Sequence, residues 1–243
     1  RVILKVFTID HPSESEILRF QNEFKILEKL KHARGIAEVI DFGIYKGKYA
    51  LVFKNSNGKS LGADPKKYPL YTFFKIAKST VTALEKIHNQ RIIHTDLKPS
   101  NILFDSETGN IEIIDFSSSF EIDSPLSVLE LNDQTEESLT YTSPEQTGRV
   151  NRSIDTRSDY YSLGATFYYL LTGRPPFISS DPMDMIYSHI AKDPLSPSAI
   201  ESSIPENLSK IILKLLAKDP EQRYQSSYGI LYDLEWISST QHH

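Results

Sequence analysis

The 243-residue sequence contains no cysteine, which excludes disulfide bonds, thiolate catalysis and cysteine-ligated zinc. No apolar run approaches the roughly 20 residues that a helix needs to cross a bilayer, and no signal peptide is visible. The net charge of −5 leaves no basic surplus of the kind that binds nucleic acid. We therefore expect a cytoplasmic protein in a reducing compartment, with no membrane segment in this chain and no nucleic-acid partner.

Polar side chains interrupt two apolar, strand-like runs near the middle of the chain. Pro99 should keep the loop between these runs from becoming a helix, and this loop carries Asp96, Lys98 and Asn101. A hairpin follows the loop, and Asp115 comes directly after its second strand. The sequence therefore predicts that two carboxylates, a lysine and an amide meet at one edge of a hairpin.

This set of side chains suits phosphoryl transfer. The reaction needs a carboxylate to accept the hydroxyl proton, a cation for the phosphate and oxygen ligands for magnesium. The alternative interpretation is a surface loop with scattered polar residues beside a buried strand. A single short motif would favour that alternative, whereas several residues at matching spacing argue against coincidence.

Three segments of the sequence resemble protein-kinase motifs. His94-Thr-Asp-Leu-Lys-Pro-Ser-Asn101 resembles H-R-D-L-x-x-x-N, Asp115-Phe-Ser117 resembles D-F-G, and Ser143-Pro-Glu145 stands where kinases carry A-P-E. The resemblance implies an α+β, bilobal fold with a truncated, small antiparallel-sheet N-lobe and a mainly helical C-lobe. It further implies one domain over residues 1–243, with the N-lobe at 1–55 and the C-lobe at 56–243.

The first strand of the chain contains a single charge, Lys5. A helix predicted over residues 16–30 carries Glu23, and either Ser13 or Ser15 could cap it. Taken alone, Lys5 would be an edge-strand lysine and Glu23 a solvated helix residue. The kinase resemblance implies instead that Lys5 binds nucleotide phosphates and that Glu23 pairs with it.

Two further strands, over residues 36–45 and 48–54, form a predicted hairpin that turns at a Lys-Gly pair. In the resemblance, Phe53 at the end of this hairpin is the gatekeeper behind the adenine pocket. The backbone from Lys54 to Ser56 corresponds to the hinge that binds the adenine edge.

The remainder of the chain is predicted to be helical. The polar, acidic stretch between Phe116 and Thr142 has the composition of an activation segment or of a plain surface loop. The resemblance implies that Asp159 binds the backbone near His94 and that two buried residues, Glu145 and Arg223, form an ion pair. Helices are predicted over 71–89, 156–171, 182–191, 206–217 and 226–237.

The resemblance also assigns roles and cofactors. Asp96 would accept the substrate proton and Lys98 would steady the transferred phosphoryl group. Asn101 and Asp115 would hold Mg²⁺, while Lys5 orients the phosphates of ATP.

The stretches Tyr141–Arg152 and Asp159–Phe167 carry a narrower resemblance. They are similar to the N-terminal serine/threonine-kinase-like module of large signalling proteins that also contain AAA ATPase, GAF and histidine kinase segments. This resemblance implies a protein substrate with a Ser or Thr hydroxyl, and downstream modules of the same polypeptide as partners in two-component signalling.

The sequence departs from the kinase pattern at several places. No G-x-G-x-x-G precedes Lys5, Thr95 replaces the arginine of H-R-D, and Ser117 replaces the glycine of D-F-G. Glu137-Ser138 stands where this subfamily usually has Gly-Thr. These departures leave open an alternative function, in which the chain is a pseudokinase that senses nucleotide or docks proteins.

Overall fold

A computed structural model describes residues 1–7, 12–63, 67–122 and 135–240. The middle of the predicted activation segment (123–134), three residues at the predicted lobe boundary and the last three residues of the chain lie outside these ranges. Within them, no helix is both long and apolar enough to span a membrane.

Three antiparallel strands form the sheet of the N-terminal part, in the order β1–β3–β2. Hydrophobic β-branched and aromatic residues dominate these strands, and Lys46 and Gly47, both with positive φ, form the tight turn between β2 and β3. Lys5 lies opposite Leu51 in the register of β1 and β3. The strands are β1 (Val2–Val6), β2 (Val39–Tyr45) and β3 (Lys48–Lys54).

Helix α1 (Glu14–Lys29) packs on this sheet through Phe20 and Phe24, whose rings lie against Phe42 of β2. Its N-terminus is capped by Ser13, whose side chain accepts from the Glu16 N–H while the Glu16 carboxylate accepts from Ser13. The structure thus selects Ser13 from the two predicted caps.

The second strand begins three residues later than predicted. Ile36 forms a bridge to Ile113 instead, because the Ala37 N–H donates to the Ile113 carbonyl and the Ile113 N–H donates to the Gly35 carbonyl. These backbone groups are therefore already paired outside the N-terminal sheet.

Five very short strands frame the loop made of residues 94–101, called loop 94–101 below. The prediction that Pro99 prevents a helix is wrong for the end of this loop, because Pro99–Asn101 forms one 3-10 turn. Proline is tolerated at the first helical position, where its missing N–H has no partner to lose. The strands pair as β4–β6–β7 and β5–β8, with β4 (Lys59–Ser60), β5 (Ile92–Ile93), β6 (Ile102–Phe104), β7 (Ile111–Ile113) and β8 (Phe120–Glu121).

The C-terminal part is mainly helical, which confirms the predicted α+β architecture. Its core lies where the buried faces of α2 and α4 meet, and Phe73 and Phe167 pack edge to face there with ring centroids 5.3 Å apart. The helices are α2 (Leu70–Asn89), α3 (Glu136–Leu139), α4 (Thr156–Thr172), α5 (Pro182–Ala191), α6 (Pro197–Ile200), α7 (Glu206–Leu215) and α8 (Ser227–Thr240).

Candidate active site

Lys5 joins the N-terminal sheet to the two acidic residues expected near it. Strand β1 presents Lys5 toward α1, and its ammonium donates to both carboxylate oxygens of Glu23 at 2.9 and 2.8 Å. The same ammonium lies 2.7 Å from Oδ1 of Asp115. Glu23 is fully buried, whereas the side chains of Lys5 and Asp115 are each 35% exposed. The three side chains thus meet at a site that is partly open to solvent.

Burial and charge act in opposite directions on the pKa values of these groups. Burial alone would raise the pKa of Asp115, but the ammonium of Lys5 outweighs it and lowers this pKa to about 2. Burial alone would lower the pKa of Lys5, yet the two carboxylates raise it. Burial raises the pKa of Glu23 although Lys5 opposes this change. Asp115 is therefore ionised near neutral pH.

Loop 94–101 brings Asp96, Lys98 and Asn101 together. The Lys98 ammonium lies 2.9 Å from Oδ2 of Asp96. The Asn101 side-chain amide donates to the Asp96 carbonyl at 2.8 Å and to its carboxylate at 3.0 Å. Because these bonds use the amide nitrogen of Asn101, its Oδ1 atom is the one left to face a cation. The Asp96 carboxylate is held in place by two neighbours.

Sequence reasoning missed the contacts that Glu137 and Ser138 make with Lys98. The Lys98 ammonium donates to the Ser138 hydroxyl at 2.7 Å, and the Glu137 carboxylate lies 3.8 Å away. Thr135 caps the short helix α3 that carries both residues. The sequence signal was the Glu-Ser pair in place of Gly-Thr, but the pair lies about forty positions beyond Lys98. The family pattern located this pair, whereas its contact with Lys98 depends on the tertiary path of the chain.

Asp159 holds the backbone of loop 94–101, which confirms the prediction for this residue. Its carboxylate accepts from the His94 N–H at 2.9 Å and from the Thr95 N–H at 2.8 Å. His88 adds a third contact at 2.8 Å. Thr95 has φ of 66°, a left-handed conformation that is strained for a β-branched residue. The buried aspartate stabilises this strained turn.

Neutral hydrogen bonds surround Thr95, where kinases carry an arginine. The Thr95 hydroxyl donates to the Ser118 carbonyl at 2.8 Å. The Gln146 side-chain amide donates to the Thr95 carbonyl at 2.7 Å, and the Ser119 hydroxyl donates to the His94 carbonyl at 3.0 Å. These three bonds join neutral groups, and they add to the contacts that the Asp159 carboxylate makes with the backbone of loop 94–101.

Glu145 and Arg223 form the predicted buried ion pair. The guanidinium donates to both carboxylate oxygens at 2.6 and 2.9 Å, and the two side chains are 1% and 0% exposed. The Ser158 hydroxyl donates to the same carboxylate at 2.7 Å. This bidentate geometry is the strongest form of an Arg–carboxylate contact.

The expected adenine-binding segment lies at the end of β3. Phe53 is half-buried and packs against the core. The Lys54 N–H donates to the Glu38 carbonyl at 2.9 Å and its ammonium lies 3.0 Å from the Glu38 carboxylate, so the Lys54 N–H is not available to adenine. The Ser56 hydroxyl accepts from the Gly58 N–H at 3.2 Å. None of these contacts involves Lys5.

Within the described ranges, no group of three or more His, Asp or Glu side chains forms a ready-made metal site. Asn101 and Asp115 supply only two oxygen-bearing side chains. Mg²⁺ usually keeps waters and takes its remaining ligands from substrate phosphates, so two protein ligands fit this ion.

Comparisons with known proteins agree with this geometry. The chain is 34% identical over 239 residues to hybrid signal transduction histidine kinase G of Dictyostelium discoideum, covering 70% of this chain and 7% of that protein. It is 38% identical over 167 residues to serine/threonine-protein kinase PknB of Mycobacterium leprae, covering 69% and 26%. It is 33% identical over 244 residues to a probable serine/threonine-protein kinase of Clostridium perfringens, covering 97% and 34%. The chain thus spans about a third or less of the length of each relative.

A family model described as the protein kinase domain matches residues 1–233, which is nearly the whole chain. Because this match includes β1, loop 94–101 and the Glu145–Arg223 pair, the chain belongs to the protein kinase family.

Proposed function

We propose that this chain transfers a phosphoryl group from ATP to Ser or Thr hydroxyls of proteins, in a Mg²⁺-dependent reaction. The observation that carries the proposal is a pair of side-chain clusters on adjoining segments, which the bond from the Ile114 N–H to the Asn101 carbonyl joins at 3.0 Å. Lys5 binds Glu23 and Asp115, and Lys98 binds Asp96 within loop 94–101. We further propose that residues 1–55 and 56–243 act as the two lobes of one domain.

The residues of the site divide the work of the reaction. The oxygen of the substrate hydroxyl attacks the γ-phosphorus of ATP, and the Asp96 carboxylate accepts the proton of this hydroxyl. The bond between the γ-phosphorus and the bridging oxygen breaks, and ADP leaves. Lys98, next to Asp96, neutralises charge on the transferred group. Lys5 binds the remaining phosphates once they displace its contact with Asp115.

Asn101 and Asp115 would hold the metal ion. The low pKa of Asp115 keeps its carboxylate ionised, and Oδ1 of Asn101 is positioned as a neutral oxygen ligand. When bound, Mg²⁺ would supply the positive charge that neutralises the negative charge developing on the phosphates during transfer.

A transfer assay with γ-labelled ATP tests the proposal on the full-length protein. Asp96→Asn should abolish label incorporation into an acceptor protein, because an amide cannot accept the hydroxyl proton. Asp41→Asn, at an exposed aspartate of β2, is the matched control and should retain activity. Transfer that persists in Asp96→Asn, or that does not require Mg²⁺, would overturn the proposal.

One observation favours the second candidate function, a pseudokinase that binds nucleotide or docks proteins. The Ser117 hydroxyl donates to Oδ1 of Asp115 at 2.8 Å, and Lys5 binds the same oxygen. Both contacts occupy an oxygen that would otherwise be available to a metal ion. Calorimetry with ATP, with and without Mg²⁺, separates the candidates: the kinase should bind ATP and Mg²⁺ together, whereas metal-independent binding without phosphoryl transfer would favour the pseudokinase.

A further inference from the structure

Asn22 lies next to Glu23 on α1 and makes a contact to which the proposed phosphoryl transfer assigns no role. Its side-chain amide donates to the Ser119 carbonyl at 2.9 Å. Ser119 is 2% exposed and lies just after the Asp115-Phe-Ser117 motif. The bond therefore joins the helix that carries Glu23 to a buried position beside the active site.

The segment that receives this bond is attached to loop 94–101 and to β5 by contacts of its own. The Ser119 hydroxyl donates to the His94 carbonyl at 3.0 Å, and the Thr95 hydroxyl donates to the Ser118 carbonyl at 2.8 Å. Strand β8 follows Ser119 directly and pairs with β5 in antiparallel register. Ser119 is therefore a fixed point, and the Asn22 amide connects α1 to it.

Two adjacent positions of α1 bind this part of the chain in different directions. The Glu23 carboxylate accepts from the Phe116 N–H at 3.2 Å and also binds Lys5. Asn22 points about 100° away from Glu23 around the helix axis. Apolar packing of a helix on a sheet tolerates small rotations, whereas hydrogen bonds in two directions do not, because each requires a narrow range of distance and angle. The bond from Asn22 therefore fixes the direction in which the Glu23 carboxylate points.

Lys29 makes a further contact between α1 and the same segment, but this contact is more exposed. Its ammonium lies 2.5 Å from the Glu121 carboxylate, and the two side chains are 48% and 38% exposed. Exposed ion pairs contribute little to stability and are screened by salt. The bond from Asn22 is partly buried and joins neutral groups, so salt affects it less. Asn22 is thus the better candidate for holding α1 in place.

The position of the Glu23 carboxylate matters because this group is fully buried. A buried carboxylate stays charged only while its charged and hydrogen-bonding partners are in place. Burial raises the pKa of Glu23, and the ammonium of Lys5 opposes this change. Moving Glu23 away from Lys5 therefore favours the uncharged acid, which orients the ammonium less well.

We propose that Asn22 is a positioning residue of the active site. Through its bond to Ser119, Asn22 fixes the rotation of α1 that places Glu23 against Lys5, and it ties this pair to loop 94–101. Asn22 acts through Glu23 and takes no part in the chemical step. The effect on catalysis rests on the proposed kinase function, whereas the effect on the structure does not.

Amide hydrogen exchange in the full-length protein tests the structural effect without an enzymatic reaction. Asn22→Ala removes the side-chain amide, and alanine is the better helix former, so α1 stays helical. Exchange at the Phe116 N–H should become about fivefold faster, which corresponds to the loss of one neutral hydrogen bond. Exchange at the Ile114 N–H, which donates to the Asn101 carbonyl at 3.0 Å, should be unchanged.

Gln21→Ala is the matched control at the preceding position of the same helix. The Gln21 side chain makes no hydrogen bond within the part of the chain that the structure describes, so exchange at Phe116 should stay as in the wild type. Asn22→Asp keeps the size of the side chain but removes the donor, and it should behave as Asn22→Ala does. Asn22→Gln keeps a donor on a longer side chain and should recover part of the protection.

Two outcomes of the exchange experiment would overturn the proposal. One is unchanged exchange at Phe116 in both Asn22→Ala and Asn22→Asp. The other is equally accelerated exchange at Phe116 and Ile114, because a general loosening of the fold would then replace the specific effect on α1.

A kinetic test on the full-length protein rests on the proposed function. Asn22→Ala should raise the KM for ATP about fivefold and leave the KM for the acceptor protein unchanged, because Lys5 orients the phosphates and does not bind the acceptor. Asn22→Gln should recover part of this loss. An unchanged KM for ATP, or an equal rise in both KM values, would contradict the positioning role. If the wild type transfers no phosphate at all, the proposed function fails, while the exchange experiment still decides the role of Asn22.

Discussion

Replacing Arg223 by alanine should destabilise the protein strongly. The substitution removes both guanidinium contacts to Glu145 and leaves a carboxylate that is 1% exposed with the Ser158 hydroxyl as its remaining partner. Breaking a buried ion pair by removing one partner costs about 3–5 kcal/mol. For a domain of this size each kcal/mol shifts Tm by roughly 2–4 °C, so Tm should fall by about 6–20 °C.

Calorimetric unfolding of matched variants measures this effect. Arg152→Ala is the control, because Arg152 forms an ion pair with Asp219 in which the side chains are 48% and 37% exposed. Such exposed pairs contribute about 0.2–1 kcal/mol. The double variant Glu145→Leu/Arg223→Met should be more stable than Arg223→Ala, because it leaves no unpaired buried charge. If Arg223→Ala lowers Tm no more than Arg152→Ala does, the argument from burial is refuted.

The same pair predicts a pH dependence. Burial alone would raise the pKa of Glu145, but Arg223 lowers it below its usual value of 4.5. A group whose pKa is lowered by folding stabilises the native state above its unfolded pKa, and this stability is lost as pH falls through the folded pKa. In Arg223→Ala the buried carboxyl loses its cation, so burial raises the pKa of Glu145 above 4.5 in the folded variant. The difference in unfolding free energy between wild type and Arg223→Ala should therefore begin to narrow above pH 4.5 and continue to narrow down to the lowered pKa of Glu145 in the wild type.

Three further substitutions give direct tests. Gly164→Ala should destabilise the protein by about 1–3 kcal/mol in urea unfolding, because a Cβ at this position would lie 2.7 Å from Cβ of Leu215; unchanged stability would mean that α4 and α7 separate easily. Ser138→Ala should lower kcat while Ser138→Thr restores it, since the hydroxyl holds Lys98; equal kcat in both variants would exclude this role. Asp159→Asn should lower the free energy of unfolding by about 1–3 kcal/mol and lower kcat, because one oxygen acceptor of the strained turn is lost. Amide hydrogen exchange in loop 94–101 should become faster, and unchanged exchange would contradict the role of Asp159 in this turn.

The sequence was sufficient to predict contacts that belong to a family-wide pattern. The pairs Lys5–Glu23 and Glu145–Arg223 join positions that are 18 and 78 residues apart, and the motif pattern identifies both partners. The periodicity of apolar residues was sufficient to predict the long helices and the three strands of the N-terminal sheet.

Other features depend on tertiary contacts that no local pattern contains. The two-residue strands β4, β5 and β8 exist only because distant segments lie beside them, and the pairing of Ile36 with Ile113 displaces the start of β2. The cap of α1 is different, because its contacts are local: Glu16 follows Ser13 at the spacing of a capping box, whereas Leu18 stands at the same spacing after Ser15.

The neutral contacts around Thr95 have a consequence for regulation. An arginine at this position would need a negative counter-charge. Phosphorylation of the activation segment could supply this charge, and dephosphorylation could remove it. The Thr95 hydroxyl and the Gln146 amide carry no charge, so their bonds respond little to ionic strength or to a phosphate nearby. We therefore expect phosphatase treatment to leave the turn at Thr95 unchanged. This part of loop 94–101 would then keep its conformation whatever the charge of the activation segment.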